Sequence, residues 1–159
     1  LMGYTSRFLT LTKGTGVINR IFHGYGKFEG EMDGRKNGAL ISIANGKAVA
    51  FAIFNLQARG EMFVTHNDPV YEGMIVGLAP KAGDMIINVM KGKQLTNMRT
   101  QGTDENVVLT PVRQMSIAEQ LSMLNTDEAL EITPKSLRLR KAILNPNDRK
   151  KNEKSSTPL

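Results

Sequence analysis

Lys91, Lys93 and Arg99 fall in one stretch, Asn88 to Thr103 (NVMKGKQLTNMRTQGT), that holds no acidic residue. Gln94 and Asn97 add amide groups between the cations, and Thr96 adds a hydroxyl. Clustered ammonium and guanidinium groups attract phosphates and release their counterions, and amides hydrogen-bond ribose hydroxyls or base edges. The chemistry this set can perform is therefore binding of an anionic, hydrogen-bonding partner, for which nucleic acid backbone is the leading candidate. Connections of this length are usually functional or disordered. A solvated loop whose charges only aid solubility is the other reading of the same composition. Met90 is expected to fold back onto the core, and Met98 lies deeper in the loop.

A second basic region lies near the C-terminus. Residues 134–159 carry eight Lys or Arg against Asp148 and Glu153. The other 13 basic residues of the chain's 21 are cancelled by the other 13 of its 15 acidic ones, so the whole net charge of +6 sits in this segment. Localised basic segments are a footprint of nucleic-acid or acidic-surface binding. In Ser136–Arg140 polar and apolar residues alternate. A strand that turns Leu137 and Leu139 to the core presents Arg138 and Arg140 together on the opposite face. From Lys150 onward a disordered solubilising tail is the expected state.

Catalytic chemistry has little material here. There is no Cys, which excludes a disulfide framework and Cys-ligated zinc and fits a reducing compartment. No G-x-S-x-G elbow and no G-x-x-x-x-G-K-[ST] loop occurs. His23 and His66 lack metal-ligand spacing, and His23 sits in a strand-like run where a packed or surface role is the expectation. Gly24-x-Gly26-x-x-x-Gly30 has the wrong spacing for a dinucleotide site and no helix pattern after it. Asp104 and Glu105 are adjacent, so in a strand they point to opposite faces. An independent enzyme is thus the least supported class.

The positioning elements can be read from periodicity. Residues 1–12 have roughly helical apolar spacing and end at Lys13-Gly14, a basic last turn and a helix-stopping glycine. Residues 16–25 alternate like a strand, and a glycine-rich turn segment follows to Gly38. Ala39–Ala44 and Lys47–Ala52 flank Asn45-Gly46, the strongest hairpin signal in the chain. Ile53–Arg59 fits one helical turn, and Glu61–Thr65 a short strand. Val70–Leu78 has strand character broken at Gly73 and Gly77, which suggests bends or close backbone approach. Met85–Val89 and Asn106–Val112 are further strands. Ser116–Leu124 is the clearest helix, with a Ser116/Glu119 capping box and Ile117, Leu121 and Leu124 as its buried stripe. Leu130–Thr133 and Ser136–Arg140 are strands, and Asn145-Pro146 opens a short basic helix. An apolar fraction of 40% supports a real core. The expected fold is α+β, mainly antiparallel β, a small partly closed barrel with two or three short helices. No apolar run approaches bilayer length, and no signal-peptide pattern opens the chain. The chain begins mid-pattern at Leu1 and is expected to be a piece of a longer protein.

Several longer motifs occur in one order. They include Gly14-Thr15-Gly16-Val17, Phe22-His23-Gly24-Tyr25, Asn45-Gly46-Lys47-Ala48-Val49-Ala50, Phe54-Asn55-Leu56-Gln57 and Val70-Tyr71-Glu72-Gly73-Met74-Ile75-Val76-Gly77. Lys91-Gly92-Lys93-Gln94-Leu95-Thr96-Asn97, Gly102-Thr103-Asp104-Glu105, Thr133-Pro134-Lys135-Ser136 and Leu139-Arg140-Lys141 continue the series. With them the chain resembles the C-terminal region of the TypA/BipA family of bacterial translational GTPases. The resemblance implies a remnant of an elongation-factor-G domain V-like domain over residues 1–26, the family's C-terminal domain over 27–150 and a flexible basic tail over 151–159. It implies a GTPase active site, with GTP and Mg, in a domain upstream of this chain, and no catalytic site, cofactor, metal or small-molecule substrate within it. It further implies a cytoplasmic protein with no membrane partner, linked to ribosome assembly and stress adaptation. Its partner would be the ribosome, touched at large-subunit rRNA and the tRNA acceptor end in the A site by the Asn88–Thr103 loop. The candidate RNA-contacting residues are Lys91, Lys93, Gln94, Asn97, Arg99, Arg138, Arg140, Lys141 and Arg149. The alternative is a protein-interaction or structural domain that docks an acidic partner.

Overall fold

In the computed structural model residues 4–27, 35–92 and 108–156 are described. Along the chain come α1 (Tyr4–Leu11), β1 (Ala39–Ser42), β2 (Gly46–Lys47), α2 (Ala50–Gln57), β3 (Glu61–Met62) and β4 (Pro69–Val70). They are followed by β5 (Ile75–Leu78), β6 (Met85–Ile87), α3 (Ile117–Ser122), β7 (Glu128–Ile132), β8 (Leu137–Lys141) and α4 (Pro146–Ser156). The main sheet has the order β3-β5-β1-β6, with β1 antiparallel to β5 and parallel to β6. β2 pairs with β4, and β7 with β8, as separate two-stranded ladders. The chain is α+β as expected, with mostly antiparallel pairing. No closed barrel occurs among the described residues.

All four residues of β1 are buried. Its alternate side chains serve two cores, as the two-residue period of a strand requires. Leu40 packs with Ile53 of α2, Val64, Val76 and Val89, while Ala39 and Ile41 pack with Ile75 and with Leu139 of β8. The sheet is thus covered by α2 on one face and by the β7–β8 hairpin on the other. Each fully buried Leu or Ile in these layers contributes about 1.5–3 kcal/mol.

That placement explains why the Asn45-Gly46 hairpin does not form. An all-apolar strand needs cover on both faces and partners on both edges, and a two-stranded ribbon supplies neither. β5 and β6 take the edges of β1 instead, and the second half of the expected hairpin becomes α2. His66 assists the helix, because its Nδ1 accepts the Ala50 N–H at 3.2 Å where the N-cap Val49 has no capping side chain. Asn45 and Gly46 keep negative φ. A Cβ at Gly46 would lie 2.4 Å from the Met90 sulfur, a flexible side-chain atom that would have to shift. Gly73, by contrast, is a bend at φ +83° between β4 and β5.

The capping box of α3 is present in full. The Ser116 Oγ accepts the Glu119 N–H at 3.3 Å, and Glu119 Oε2 accepts the Ser116 N–H at 3.0 Å. Of the expected apolar stripe only Leu124 packs against the core. Ile117 and Leu121 are 47% and 53% exposed, and the residue α3 buries is Gln120. α1 ends as expected, with Lys13 and Gly14 in the left-handed region and the Gly14 N–H on the Leu9 carbonyl at 2.7 Å. Residues 16–25 form no ladder with any described residue, and Val17, Ile21, Phe22 and Tyr25 stand exposed. Residues 108–112 likewise make no strand, although the Gln57 amide pairs with both backbone groups of Thr110. α4 runs to Ser156, so residues 150–156 are helical and not coil. Asn145 opens it by accepting the Asn147 N–H through its side chain at 2.9 Å.

Candidate nucleic-acid interface

The basic loop has two anchored roots. On the entering side Val89 is fully buried, and Met90 packs against the α2-side core, as the sequence suggested. Asn88 Oδ1 accepts the Met90 N–H at 2.9 Å, and the Val89 carbonyl accepts the Val49 N–H at 2.9 Å. Lys91 follows directly and is exposed. On the leaving side Leu109 packs against the same core, and Gln57 holds Thr110. Lys93, Gln94, Asn97 and Arg99 lie outside the described residues.

The other candidates sit on or beside the β7–β8 hairpin. Its register places Arg138 opposite Glu131 and Arg140 opposite Ala129, so the two arginines share one face, as the alternation implied. Arg138 Nη1 lies 3.4 Å from Glu131 Oε1, a loose and half-exposed pair. Glu131 Oε2 accepts the Tyr71 hydroxyl at 2.6 Å. Burial first, and then this hydrogen bond and the carboxylate's charge, push the Tyr71 hydroxyl up to about 12 against the opposing pull of both arginines. Arg140 also donates through Nη1 to the carbonyls of Lys141 and Ala142. Arg149 donates through Nη1 to those of Ile143 and Leu144, at 3.0 and 2.6 Å, and so fastens α4 to the chain before it.

Lys141 does not belong with these surface cations. It is 1% exposed, and its ammonium lies 2.5, 2.6 and 3.1 Å from carboxylate oxygens of Asp84, Asp127 and Glu128. Glu128 in turn holds the Arg35 guanidinium through both oxygens, at 2.7 and 3.1 Å. Asp84 accepts the Ala39 N–H at 2.7 Å. Burial lowers the Lys141 ammonium, but the hydrogen bonds and charges of its three carboxylates outweigh burial and hold it above the ordinary lysine range. Burial likewise raises the Asp84 carboxyl, and the Lys141 ammonium with the Ala39 N–H outweigh it and hold it below the ordinary carboxylate range. A lysine enclosed by three acceptors presents no donor to a phosphate. Lys141 is therefore a fold-holding cation that ties the start of β1, the start of β6 and the hairpin together.

A cleft missed by sequence reading opens on the hairpin's inner face at its turn end. The turn is tight: the Thr133 N–H meets the Ser136 carbonyl at 2.9 Å, and Thr133 Oγ1 accepts the Ser136 N–H at 3.0 Å. The cleft, of about 700 Å³, is floored by Phe63, Ile75, Met115 and Leu139 and rimmed by the cations Arg113 and Lys135. Gln120 stands in its wall, and its Oε1 is the one buried side-chain oxygen or nitrogen without a hydrogen-bond partner among the described residues. Among the described residues no helix is long and apolar enough to cross a membrane.

Comparison with known proteins is consistent across the chain. The TypA/BipA C-terminal domain family matches residues 37–146. A relative named large ribosomal subunit assembly factor BipA, from Buchnera aphidicola (subsp. Schizaphis graminum), is 47% identical over 160 residues. The match takes in all of this chain and 26% of that protein. Relatives of the same name from Salmonella typhimurium and Escherichia coli K12 are each 47% identical over 152 residues, 95% of this chain and 25% of theirs. The chain spans about a quarter of the length of the curated relatives it matches. The resemblance read from the motifs is borne out, and the chain belongs to the TypA/BipA C-terminal domain family.

Proposed function

We propose that the chain is the RNA-binding C-terminal module of a ribosome-associated GTPase that acts in large-subunit assembly. The observation that carries this reading is the match over residues 37–146, together with relatives that are named large ribosomal subunit assembly factors. On this reading GTP hydrolysis belongs to the part of the parent protein outside this chain, and the parent works in the cytoplasm. The Asn88–Thr103 loop contacts large-subunit rRNA and the acceptor end of A-site tRNA. Its roots support that role, since a binding loop set on a rigid core loses less entropy when it docks. Lys91, Lys93 and Arg99 supply phosphate contacts, and Gln94 and Asn97 supply hydrogen bonds to ribose or base edges. Arg138, Arg140 and Arg149 add a weaker positive field from the hairpin side.

Replacing Lys91, Lys93 and Arg99 with Ala in the full-length factor is expected to lower co-sedimentation with large subunits. The log–log salt slope should flatten by about two to three, since each of the three lost phosphate contacts removes roughly 0.7 to 0.9. Unchanged pelleting across the salt series would remove the loop from the interface. RNase treatment of the complex separates RNA binding, which it abolishes, from docking on an acidic protein, which it spares.

A further inference from the structure

We infer that the cleft at the turn end of the β7–β8 hairpin receives an unstacked base of single-stranded RNA, with the flanking phosphates held at its rim. The inference rests on the RNA-binding reading above and adds a second contact site, formed by residues outside the Asn88–Thr103 loop. Three observations converge on this occupant.

The size fits: about 700 Å³ lies within the usual range for small-molecule clefts and admits a nucleoside. The lining fits as well. Phe63 offers an aromatic ring beside the apolar Met115 and Leu139, and single-stranded RNA is typically read by stacking splayed bases on aromatic side chains. The rim is cationic. Arg113 is paired with Glu119 at 3.0 Å, while Lys135, exposed on the turn, has no ion pair with any described residue. A cleft with an apolar floor and a positive rim complements a base joined to phosphates.

α3 supplies the third observation. It reverses its expected burial, holding Gln120 inward and leaving Ile117 exposed beside the cleft. A buried acceptor with no donor is uncommon in a folded protein. The Gln120 Nε2 is held only by the Met115 carbonyl at 3.5 Å, so rotation of the amide toward the cleft breaks one long bond. The group that satisfies Oε1 is then a donor carried by the ligand. Adenine, cytosine and guanine carry an exocyclic amino group with two hydrogens at the base edge, whereas uracil offers only its single ring N3–H between two carbonyls, so the cleft favours amino-bearing bases.

Fluorescence anisotropy of labelled octa-adenylate and octa-uridylate with the 159-residue chain tests this at fixed salt. Octa-adenylate is expected to bind more tightly. Ile117→Trp, which narrows the mouth, and Lys135→Glu, which reverses the unpaired rim charge, should each weaken it about tenfold. Both positions are exposed, so unchanged thermal midpoints will show that the fold is kept. Three results overturn the inference: no binding of either oligonucleotide, equal binding by the variants, or full displacement of octa-adenylate by octa-glutamate. Ribosome pelleting of the loop-alanine factor is scored separately. A failed cleft with loop-dependent pelleting therefore leaves the wider RNA reading standing.

Discussion

The inner face of one hairpin ends in two different ways. At the open end of β7–β8, the register pair Glu128–Lys141 is sealed by Arg35, Asp84 and Asp127 into a closed charge cluster. At the turn end, the pair Ile132–Leu137 borders a cleft with cations around its rim. Among the described residues the first end ties its cations to carboxylates, and the second has an acceptor without a donor and a lysine without a carboxylate. Basic residues three to six positions apart thus divide between holding the fold and facing a partner. The difference lies in what distant segments bring to each end, and not in residue type.

The largest expected effect comes from breaking the sealed end. Lys141→Met leaves Asp84, Asp127 and Glu128 facing one another without their ammonium, and removing one partner of a buried pair costs roughly 3–5 kcal/mol. Urea unfolding of the 159-residue chain measures it. A loss below about 1 kcal/mol would place Lys141 back among ordinary surface cations.

The same end sets a pH window. The Asp84 carboxyl is held below its ordinary 3.8, so its contribution is full above that value and is lost as pH falls through the lower folded-state value. Lys141 is held above its ordinary 10.5, so its contribution is full below that value and is lost as pH rises past the folded-state one. Stability from this cluster should be flat between the two limits and fall beyond either. Thermal midpoints against pH test this, and Asp84→Asn should flatten the acid limb and, by removing one of the carboxylates that hold Lys141 up, weaken the alkaline limb in part.

The smallest effect sharpens the other end. Gln120→Leu removes an unpaired buried acceptor, so the free chain should gain about 1 kcal/mol. Octa-adenylate binding should weaken in the same variant. A stability loss would show that the Gln120 amide is satisfied in solution, and the contrast between the two ends would narrow.

Local signals were legible where local chemistry decides the outcome. The left-handed stop at Lys13-Gly14, the Ser116/Glu119 capping box and the strand alternation of Leu137–Arg140 each need only a few neighbouring residues. The failures share a different cause. Asn45-Gly46 lost its hairpin because β1 pairs with β5 and β6, which lie much further along the chain. Lys141 reads like Arg138 in sequence, and only Asp84 and Arg35, brought from positions far back along the chain, reveal its burial. The buried Gln120 is invisible to periodicity, which assigns the inner stripe of α3 to Ile117 and Leu121. Within the candidate interface, the anchoring of Met90 was legible from its apolar character, while the cleft depends on four segments meeting and had no sequence signal.

The central claim is that this chain meets ribosomal RNA through the cations of the Asn88–Thr103 stretch. Hydroxyl-radical footprinting of large subunits bound to the full-length factor tests it most directly, with and without Ala at Lys91, Lys93 and Arg99. The account predicts a discrete patch of protected large-subunit rRNA that the substitutions erase while the rest of the footprint persists. An unchanged footprint, with every protected nucleotide retained in the variant, would contradict it.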